Sequence, residues 1–184
     1  MYKAIAIGGS AGSFQVILKI FSSFPGNKDL SIFLTMHRLK QVRKGFVEAL
    51  SLKSRIMIRE PDDKDKITPG ITYLAPANYH MLVSSDMTIS LSAEEPVNHS
   101  RPSIDLLFES CAEVYKEALI GIILSGANRD GANGLRMISR AGGTTIIQDP
   151  EEAQVRTMPE AALDLIKADH ILTTEQIITF LTKL

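Results

Sequence analysis

The sequence predicts an α/β fold, in which a doubly wound, mostly parallel sheet is flanked by helices and accompanied by a small antiparallel hairpin. Short β-branched apolar runs alternate with segments of helical periodicity towards both ends of the chain, a pattern typical of βαβ units. Several of these runs are apolar throughout, as in strands that are covered on both faces. The middle of the chain instead alternates polar and apolar residues, which favours a hairpin.

The first part of the chain predicts strands and helices in alternation. Residues 2–7 form a continuous apolar run that ends at glycine, which indicates a buried strand. Apolar residues then recur at helical spacing after Ser13, and the turn signal Pro25-Gly26-Asn27 ends that helix. The same patterns predict further strands over residues 31–35 and 55–59, with a helix over residues 46–50 between them.

Residues 71–91 carry the short alternating runs that predict the antiparallel hairpin, with its turn at residues 84–86. After Pro96 the alternation of strands and helices returns. The predicted elements there are strands over residues 119–124, 144–148 and 170–172, the last at a sheet edge, and a helix over residues 131–141.

Several residues mark the starts of helices in this second part. Ser103, preceded by Pro102, begins a helix, and Pro159 suits the first position of a later short helix. Thr173 and Gln176 have the spacing of a capping box, which predicts a terminal helix.

Length and composition narrow the classes of protein. With 184 residues, 45% of them apolar, one domain over residues 1–184 is expected. The formal net charge of -1 gives no electrostatic reason to expect nucleic acid or an anionic membrane surface as a partner. The single cysteine, Cys111, excludes an internal disulfide, favours a cytoplasmic location and is expected to be a small core residue. No targeting segment or apolar run of about 20 residues is visible, so no membrane insertion is expected.

Three predicted strands are followed by side chains that can carry out chemistry together. Ser10 follows the first strand in the turn Gly8-Gly9-Ser10-Ala11-Gly12, His37 follows the second, and Asp130 follows the strand that ends at Leu124. Ligands of open parallel sheets bind beyond the carboxyl ends of the strands. A hydroxyl, a base and a carboxylate at such an edge are the requirements for nucleophilic acyl transfer.

Each of these residues has another interpretation when taken alone. The glycine turn has G-x-S-x-G spacing, but such turns also bind phosphate or are purely structural. His37 could be a capping or core histidine, and Asp130 could cap the helix that follows it. The coincidence of three strand ends favours a catalytic triad of Ser10, His37 and Asp130. Its chain order differs from the Ser-Asp-His order of α/β-hydrolases, which indicates a different scaffold.

Longer segments carry a resemblance to a known family over nearly the whole chain. The sequence resembles the catalytic domain of bacterial chemotaxis protein-glutamate methylesterases of the CheB type. The segments that carry this resemblance are residues 8–12, the strand end at His37, and residues 73–81, 98–108 and 124–131. The resemblance implies the doubly wound α/β fold and hydrolysis of glutamyl methyl esters on chemoreceptors, with related glutamine side chains deamidated.

The resemblance also implies roles for individual residues. Ser10 is the expected nucleophile, His37 the general base and Asp130 its orienting carboxylate. The backbone near Ala11 and the loop at Ala127 and Asn128 are expected to lie near the oxyanion. No metal or organic cofactor is implied, and the implied partner is a methylated chemoreceptor or another protein substrate.

Three further motif positions fall on loops at the rim of the implied site. They are His80, Arg101 and Ser103, for which a structural role and substrate contact both stay open.

The sequence departs from the family pattern at both loops beside the predicted triad. Ser125, Ala127 and Asn128 stand where the family usually has Thr, Met and Gly, and Met36-His37-Arg38-Leu39 replaces the usual Gln-His-Met-Pro. No receiver domain precedes the first strand, so a regulatory domain is expected on a separate or longer chain. Alternatives are hydrolysis of another acyl substrate, a catalytically weak module that binds a signalling partner, or a phosphate-binding protein.

Overall fold

The computed structural model describes residues 1–37, 45–52 and 54–184. Within these ranges the strands are β1 (Ala4–Gly9), β2 (Ser31–Met36), β3 (Met57–Arg59), β4 (Ile71–Leu74), β5 (His80–Val83), β6 (Ile89–Ser92), β7 (Leu119–Ile123), β8 (Thr144–Gln148) and β9 (His170–Leu172). The helices are α1 (Ser13–Ser23), α2 (Phe46–Ser51), α3 (Ile104–Tyr115), α4 (Ala132–Arg140), α5 (Thr157–Leu163) and α6 (Thr174–Leu181), with a short 3-10 turn over Lys116–Ala118.

The main sheet has seven strands in the order β3-β4-β2-β1-β7-β8-β9, and every neighbouring pair in it is parallel. The chain builds outwards from β1 to one side and, from β7 onwards, to the other side. This reversal of direction beside β1 is the topological switch at which open sheets bind ligands. Strands β5 and β6 form a separate antiparallel hairpin. The predicted fold class is therefore confirmed.

The prediction of a hairpin over residues 71–91 is wrong in its first part. Ile71–Leu74 is a parallel strand of the main sheet, between β3 and β2, and only His80–Val83 and Ile89–Ser92 pair as a hairpin. The physical reason is that the pattern of a short strand does not reveal its partner. Thr72, Tyr73 and Leu74 are all buried, as expected for a strand inside a two-sided sheet.

Two apolar layers cover the two faces of the main sheet. One layer joins the sheet to α3, α4, α5 and the hairpin through Ile104, Phe108, Leu135, Met158 and Met81. The other layer joins it to α1, α2 and α6 through Ile17, Phe21, Leu50, Ile177 and Leu181. Cys111 is fully buried in the first layer, which confirms it as a core residue, and burial raises the pKa of its thiol.

Most of the predicted ends of helices are confirmed, with one correction. The Ser103 side chain caps α3 by accepting from the Leu106 N–H. Thr173 and Gln176 form the capping box of α6. Pro159 is the third residue of α5 rather than its first, because that helix begins at Thr157. Its missing N–H costs little there, since the first four N–H groups of a helix have no partner within it.

Strand ends differ from the predictions by one or two residues. The first strand covers Ala4–Gly9 rather than residues 2–7, and the third covers only Met57–Arg59 rather than residues 55–59.

No helix in the described ranges is both long and apolar enough to cross a membrane.

Candidate active site

The three predicted site residues follow three strands that are neighbours in the sheet. Strand β1 lies between β2 and β7. Gly9 of β1 is in register with Met36 of β2, so Ser10 and His37 leave the sheet at the same level. The His37 N–H donates to the carbonyl oxygen of Gly9 at 3.2 Å, which joins these two strand ends. Asp130 lies in the segment that connects β7 to α4.

The turn that carries Ser10 is held through its backbone. The Ser10 N–H donates to Ser125 O at 2.9 Å, and Ser10 O accepts from both the N–H and the hydroxyl of Ser13. Gly12 has φ +82, and a Cβ there would lie 2.7 Å from Gln154 Cβ. A side chain at position 12 would therefore meet both backbone strain and a clash. Glycine at position 12 therefore allows the tight turn between β1 and α1, and this turn sets the direction of the Ser10 side chain.

Ser125 joins the Ser10 turn to the loop after β7. Its hydroxyl donates to Ala11 O at 2.7 Å and accepts from the Val155 N–H at 2.9 Å. Its own N–H donates to Gln148 Oε1 at 2.8 Å. Ser125 is fully buried, so these bonds form away from water. Serine therefore supplies a hydroxyl where the family pattern has threonine, and this departure leaves the turn supported.

The Asp130 carboxylate is fully buried and accepts hydrogen bonds on both oxygens. Oδ2 accepts from the His37 ring at 2.8 Å and from the Ile104 N–H at 2.7 Å. Oδ1 accepts from the Ser103 hydroxyl at 2.9 Å, the Asp105 N–H at 3.1 Å and Asn98 Nδ2 at 3.3 Å. Burial by itself would raise the pKa of Asp130, but the bonds from His37 and from these N–H groups outweigh it and lower the pKa. Asp130 is therefore a stable anion.

Two glycines allow the first turn of α3 to approach this carboxylate. A Cβ on Gly8 would overlap Ile104 Cγ2, and a Cβ on Gly131 would lie 2.6 Å from the same atom. The absence of both Cβ atoms lets Ile104 pack against β1 and brings the first N–H groups of α3 to Asp130. A helix N-terminus favours a negative charge. The Asp130 side chain thus binds the N-terminus of α3 and not that of α4, the helix that it was considered to cap.

The hydrogen bonds of His37 define the tautomer of its ring. An ionised carboxylate can only accept, so Nε2 carries the proton that is donated to Asp130. In the neutral ring Nδ1 then has a free lone pair and is the basic nitrogen. Nδ1 faces the Ser100 hydroxyl at 3.4 Å and Asn128 Nδ2 at 3.5 Å. The His37 side chain is only 13% exposed, whereas Asp130 is not exposed at all.

The Ser10 side of the site carries hydrogen-bond donors that have no acceptor among the residues that the structure describes. Within the described ranges, Ser10 Oγ forms no hydrogen bond, including with His37. The N–H groups of Ala11 and Ala127 likewise donate to no acceptor in that part of the chain, and both residues are exposed. Because Ser125 O and Oγ bond to the Ser10 turn, the two loops that carry these N–H groups lie side by side. An oxyanion that formed next to Ser10 would need such donors.

The other predicted loop residues make structural contacts. Asn128 Oδ1 accepts from the Asp130 N–H at 3.1 Å, so the Asn128 side chain turns towards the Asp130 loop and His37. The Arg101 guanidinium donates to the carbonyl oxygens of Ala93 and Glu94, both at 2.7 Å, and holds the loop that leaves the hairpin.

His80 lies beneath the site in a fixed tautomer. It is fully buried on β5, and its Nδ1 accepts from the Ser103 N–H at 3.1 Å. Its Nε2 then donates to Glu95 O at 3.2 Å. His80 and Ser103 thus support the first turn of α3. Arg38 and Leu39, which depart from the family pattern beside His37, lie outside the described residues.

Sequence reasoning missed three contributors to the site. Asn98 Nδ2 bridges the Asp105 and Asp130 carboxylates, at 2.9 and 3.3 Å, and Ser100 contacts His37. Asp105 accepts from the Gly134 N–H at 2.8 Å; burial raises its pKa and the nearby Asp130 charge adds to this, despite that bond. A signal was available in the sequence. The first N–H groups of a helix that begins at Ser103 need acceptors from outside the helix, and Asn98 and Ser100 precede that helix closely in the chain.

Among residues 1–37, 45–52 and 54–184, no group of three or more His, Cys, Asp or Glu side chains could hold a metal ion.

Comparison with known proteins identifies the family. The family model for the CheB methylesterase matches residues 5–181. The chain belongs to the CheB methylesterase family. The crystal structure of the Thermotoga maritima CheB methylesterase catalytic domain superimposes with a TM-score of 0.92 at 27% identity, covering 100% of this chain and 98% of that one.

Two relatives are more similar to this chain in sequence. A Leptospira interrogans protein, provisionally described as a protein-glutamate methylesterase/protein-glutamine glutaminase, is 41% identical over 176 residues, or 96% of this chain and 91% of its own length. A Geobacter metallireducens protein, described as protein-glutamate methylesterase/protein-glutamine glutaminase 4, is 37% identical over 183 residues, which are 99% of this chain and 53% of that protein. The relatives thus range from a protein of similar length to one about twice as long.

Proposed function

We propose that this protein is a serine hydrolase that converts glutamyl methyl esters on a receptor-type protein to glutamate and methanol, in the cytoplasm. The observation that carries the proposal is the 2.8 Å bond between His37 Nε2 and the buried Asp130 carboxylate, at the strand end next to Ser10. Membership of the CheB methylesterase family supports the substrate class. Related glutamine side chains would be deamidated by the same steps, with ammonia released in place of methanol.

The acylation step uses Nδ1 of His37 as the base. Ser10 Oγ attacks the ester carbonyl carbon and its proton moves to Nδ1, while Asp130 stabilises the imidazolium through Nε2. When the tetrahedral intermediate collapses, the carbon–oxygen bond to methoxide breaks and Nδ1 returns the proton, so that methanol leaves. Ser10 then carries the glutamyl acyl group as an ester.

Deacylation repeats these steps with water. His37 Nδ1 takes a proton from the water as its oxygen attacks the acyl carbon. The bond to Ser10 Oγ breaks, and Nδ1 returns the proton to that oxygen. Glutamate is released and the enzyme is restored, with no net change in its protonation.

The N–H groups of Ala11 and Ala127 are the proposed oxyanion donors. They lack protein acceptors within the described ranges and flank the strand end that carries Ser10. Loss of one such donor in serine hydrolases costs roughly 10²- to 10³-fold in turnover. Because both donors belong to the backbone, their positions depend on the Ser125 bonds that hold the two loops together.

The test is methanol release from a peptide that contains a glutamyl γ-methyl ester. Wild type should release methanol, and Ser10→Ala should lower turnover by roughly 10⁴-fold or more. Ser22→Ala is a matched control, because Ser22 is a half-buried serine of α1 whose hydroxyl donates to Lys19 O at 3.0 Å within the same helix. Its turnover should equal that of wild type. Equal inactivity of wild type and Ser10→Ala, on this peptide and on a generic short-chain ester, would instead support a partner-binding module.

A further inference from the structure

The Nδ1 side of His37 is covered by two side chains that the proposed mechanism does not use. Ser100 Oγ lies 3.4 Å from Nδ1 and Asn128 Nδ2 lies 3.5 Å from it. Asn128 Nδ2 also donates to Ser100 Oγ at 3.2 Å, so the two side chains form a connected pair. By contrast, Ser10 Oγ has no hydrogen bond to His37 within the described residues.

The orientation of this pair follows from its other contacts. The Asp130 N–H donates to Asn128 Oδ1 at 3.1 Å, which turns the Asn128 NH₂ group towards Ser100 and His37. Because Ser100 Oγ accepts from that NH₂ group, its own proton has two acceptors, His37 Nδ1 and Asn98 O, each at 3.4 Å. Both groups that face Nδ1 are therefore hydrogen-bond donors, and they match the lone pair of the tautomer that Asp130 imposes.

We propose that the pair of Ser100 and Asn128 occupies His37 Nδ1 in the resting protein and so restrains the reactivity of Ser10. This proposal rests on the proposed function, in which Ser10 must pass its proton to the same lone pair. Ser100 thus acts through His37, because its hydroxyl competes with that of Ser10 for the same lone pair.

The contacts of Ser100 and Asn128 favour a role in restraining His37 as a base over a role in orienting its ring. The ring is already oriented by the 2.8 Å bond to Asp130, and the bond from the His37 N–H to Gly9 O fixes the backbone of this residue. Contacts of 3.4 and 3.5 Å add little to that orientation, since hydrogen bonds weaken at such lengths. They do engage the lone pair, which must be free before Ser10 can use it. Their main effect is therefore on the availability of the base.

The experiment measures how fast a fluorophosphonate reagent modifies Ser10. Ser10 Oγ attacks phosphorus, its proton passes to Nδ1 and fluoride leaves, so the rate reports the reactivity of this pair without any natural substrate. Ser100→Ala removes the contact between this hydroxyl and Nδ1, which is worth no more than one neutral hydrogen bond, so the second-order rate of modification should rise about two- to tenfold. Ser100→Thr, which keeps the hydroxyl, should return the rate to near that of wild type.

Controls and outcomes separate the two proposals. Ser22→Ala should be modified at the wild-type rate, Ser10→Ala should not be modified, and thermal melting should confirm that each variant is folded. Modification of Ser10 in Ser100→Ala at or below the wild-type rate would overturn the restraint and leave the proposed function intact. No modification of Ser10 in folded wild type would count against the proposed function and, with it, against this proposal.

Discussion

The two sides of His37 differ in how completely their polar groups are paired. On the Asp130 side, a fully buried carboxylate accepts five hydrogen bonds from the ring, backbone and side chains around it. On the Ser10 side, the backbone is fixed, but the Ser10 hydroxyl and the Ala11 and Ala127 N–H groups have no acceptor in the described part of the chain. The Asp130 carboxylate is therefore fully hydrogen-bonded, whereas in the proposed mechanism the unpaired donors on the Ser10 side would stabilise the oxyanion.

The largest effect on turnover is expected from Asp130→Asn, which alters the Asp130 side of His37. An amide cannot accept all five bonds, and its NH₂ group would face donors or force His37 into the other tautomer. Nδ1 would then no longer be the base, so turnover of a methyl ester should fall by roughly 10³- to 10⁴-fold. Steady-state kinetics on the glutamyl methyl ester peptide measure this.

Asp86→Asn is the matched control for that variant. Asp86 likewise accepts hydrogen bonds, from the N–H and hydroxyl of Thr88, but it lies at the exposed turn of the hairpin. Its turnover should stay within about twofold of wild type, since exposed polar changes have small effects. Near-wild-type turnover in Asp130→Asn would contradict the role given to the carboxylate.

A smaller effect is expected from Ser125→Ala, which alters the support of the Ser10 side. The Ala11 and Val155 backbone groups would lose a buried partner, so the free energy of unfolding should fall by about 1–3 kcal/mol. Because Ala11 would be less well fixed, turnover should also fall. Urea unfolding and steady-state kinetics test both changes. Unchanged stability together with unchanged turnover would show that this hydroxyl does not organise the turn.

The two buried carboxylates of the Asp130 side should respond to acid in opposite ways. The pKa of Asp130 is lowered in the folded state, so its stabilisation is present above about pH 4 and is lost as the pH falls through the folded value. Burial raises the pKa of Asp105, so folding favours its protonated form and this residue opposes that loss. Between pH 7 and about pH 3, Asp130→Asn should therefore lose less unfolding free energy than wild type, and Asp105→Asn should lose more. Equal losses in all three proteins, measured by urea unfolding, would contradict this assignment.

The smallest effect is expected far from the site, at the capping box of α6. Thr173→Ala removes the acceptor for the Gln176 N–H and should cost about 1 kcal/mol of unfolding free energy. Turnover should not change, since Thr173 follows the edge strand β9, which β7 and β8 separate from β1. A loss of activity as large as that of Ser125→Ala would show that the comparison between regions does not separate catalysis from general stability.

The sequence predicted the parts of the site that follow from local pattern. Apolar runs located β1, β2 and β7, and Ser10, His37 and Asp130 came from the residues just after them. Parallel strands align their carboxyl ends, so residues far apart in the chain could be expected at one edge. Capping residues such as Ser103 and Thr173 were also readable, because their requirements are local.

The parts that could not be predicted depend on which segments meet. Residues 71–74 have the pattern of any short strand, and their parallel place between β3 and β2 is decided by partners distant in sequence. The contact of Asp130 with α3 depends on Ile104 packing against Gly8 and Gly131, which no local pattern reveals. Ser100 and Asn128 reach His37 for the same reason, because separate loops bring them together.

The most direct test of the contrast between the two sides is the tautomer of His37. Long-range proton–nitrogen NMR correlations, at a pH where the ring is neutral, distinguish a protonated Nε2 from a protonated Nδ1. We expect the proton on Nε2, bound to Asp130, with Nδ1 unprotonated. A neutral ring with its proton on Nδ1 would contradict this account of the site.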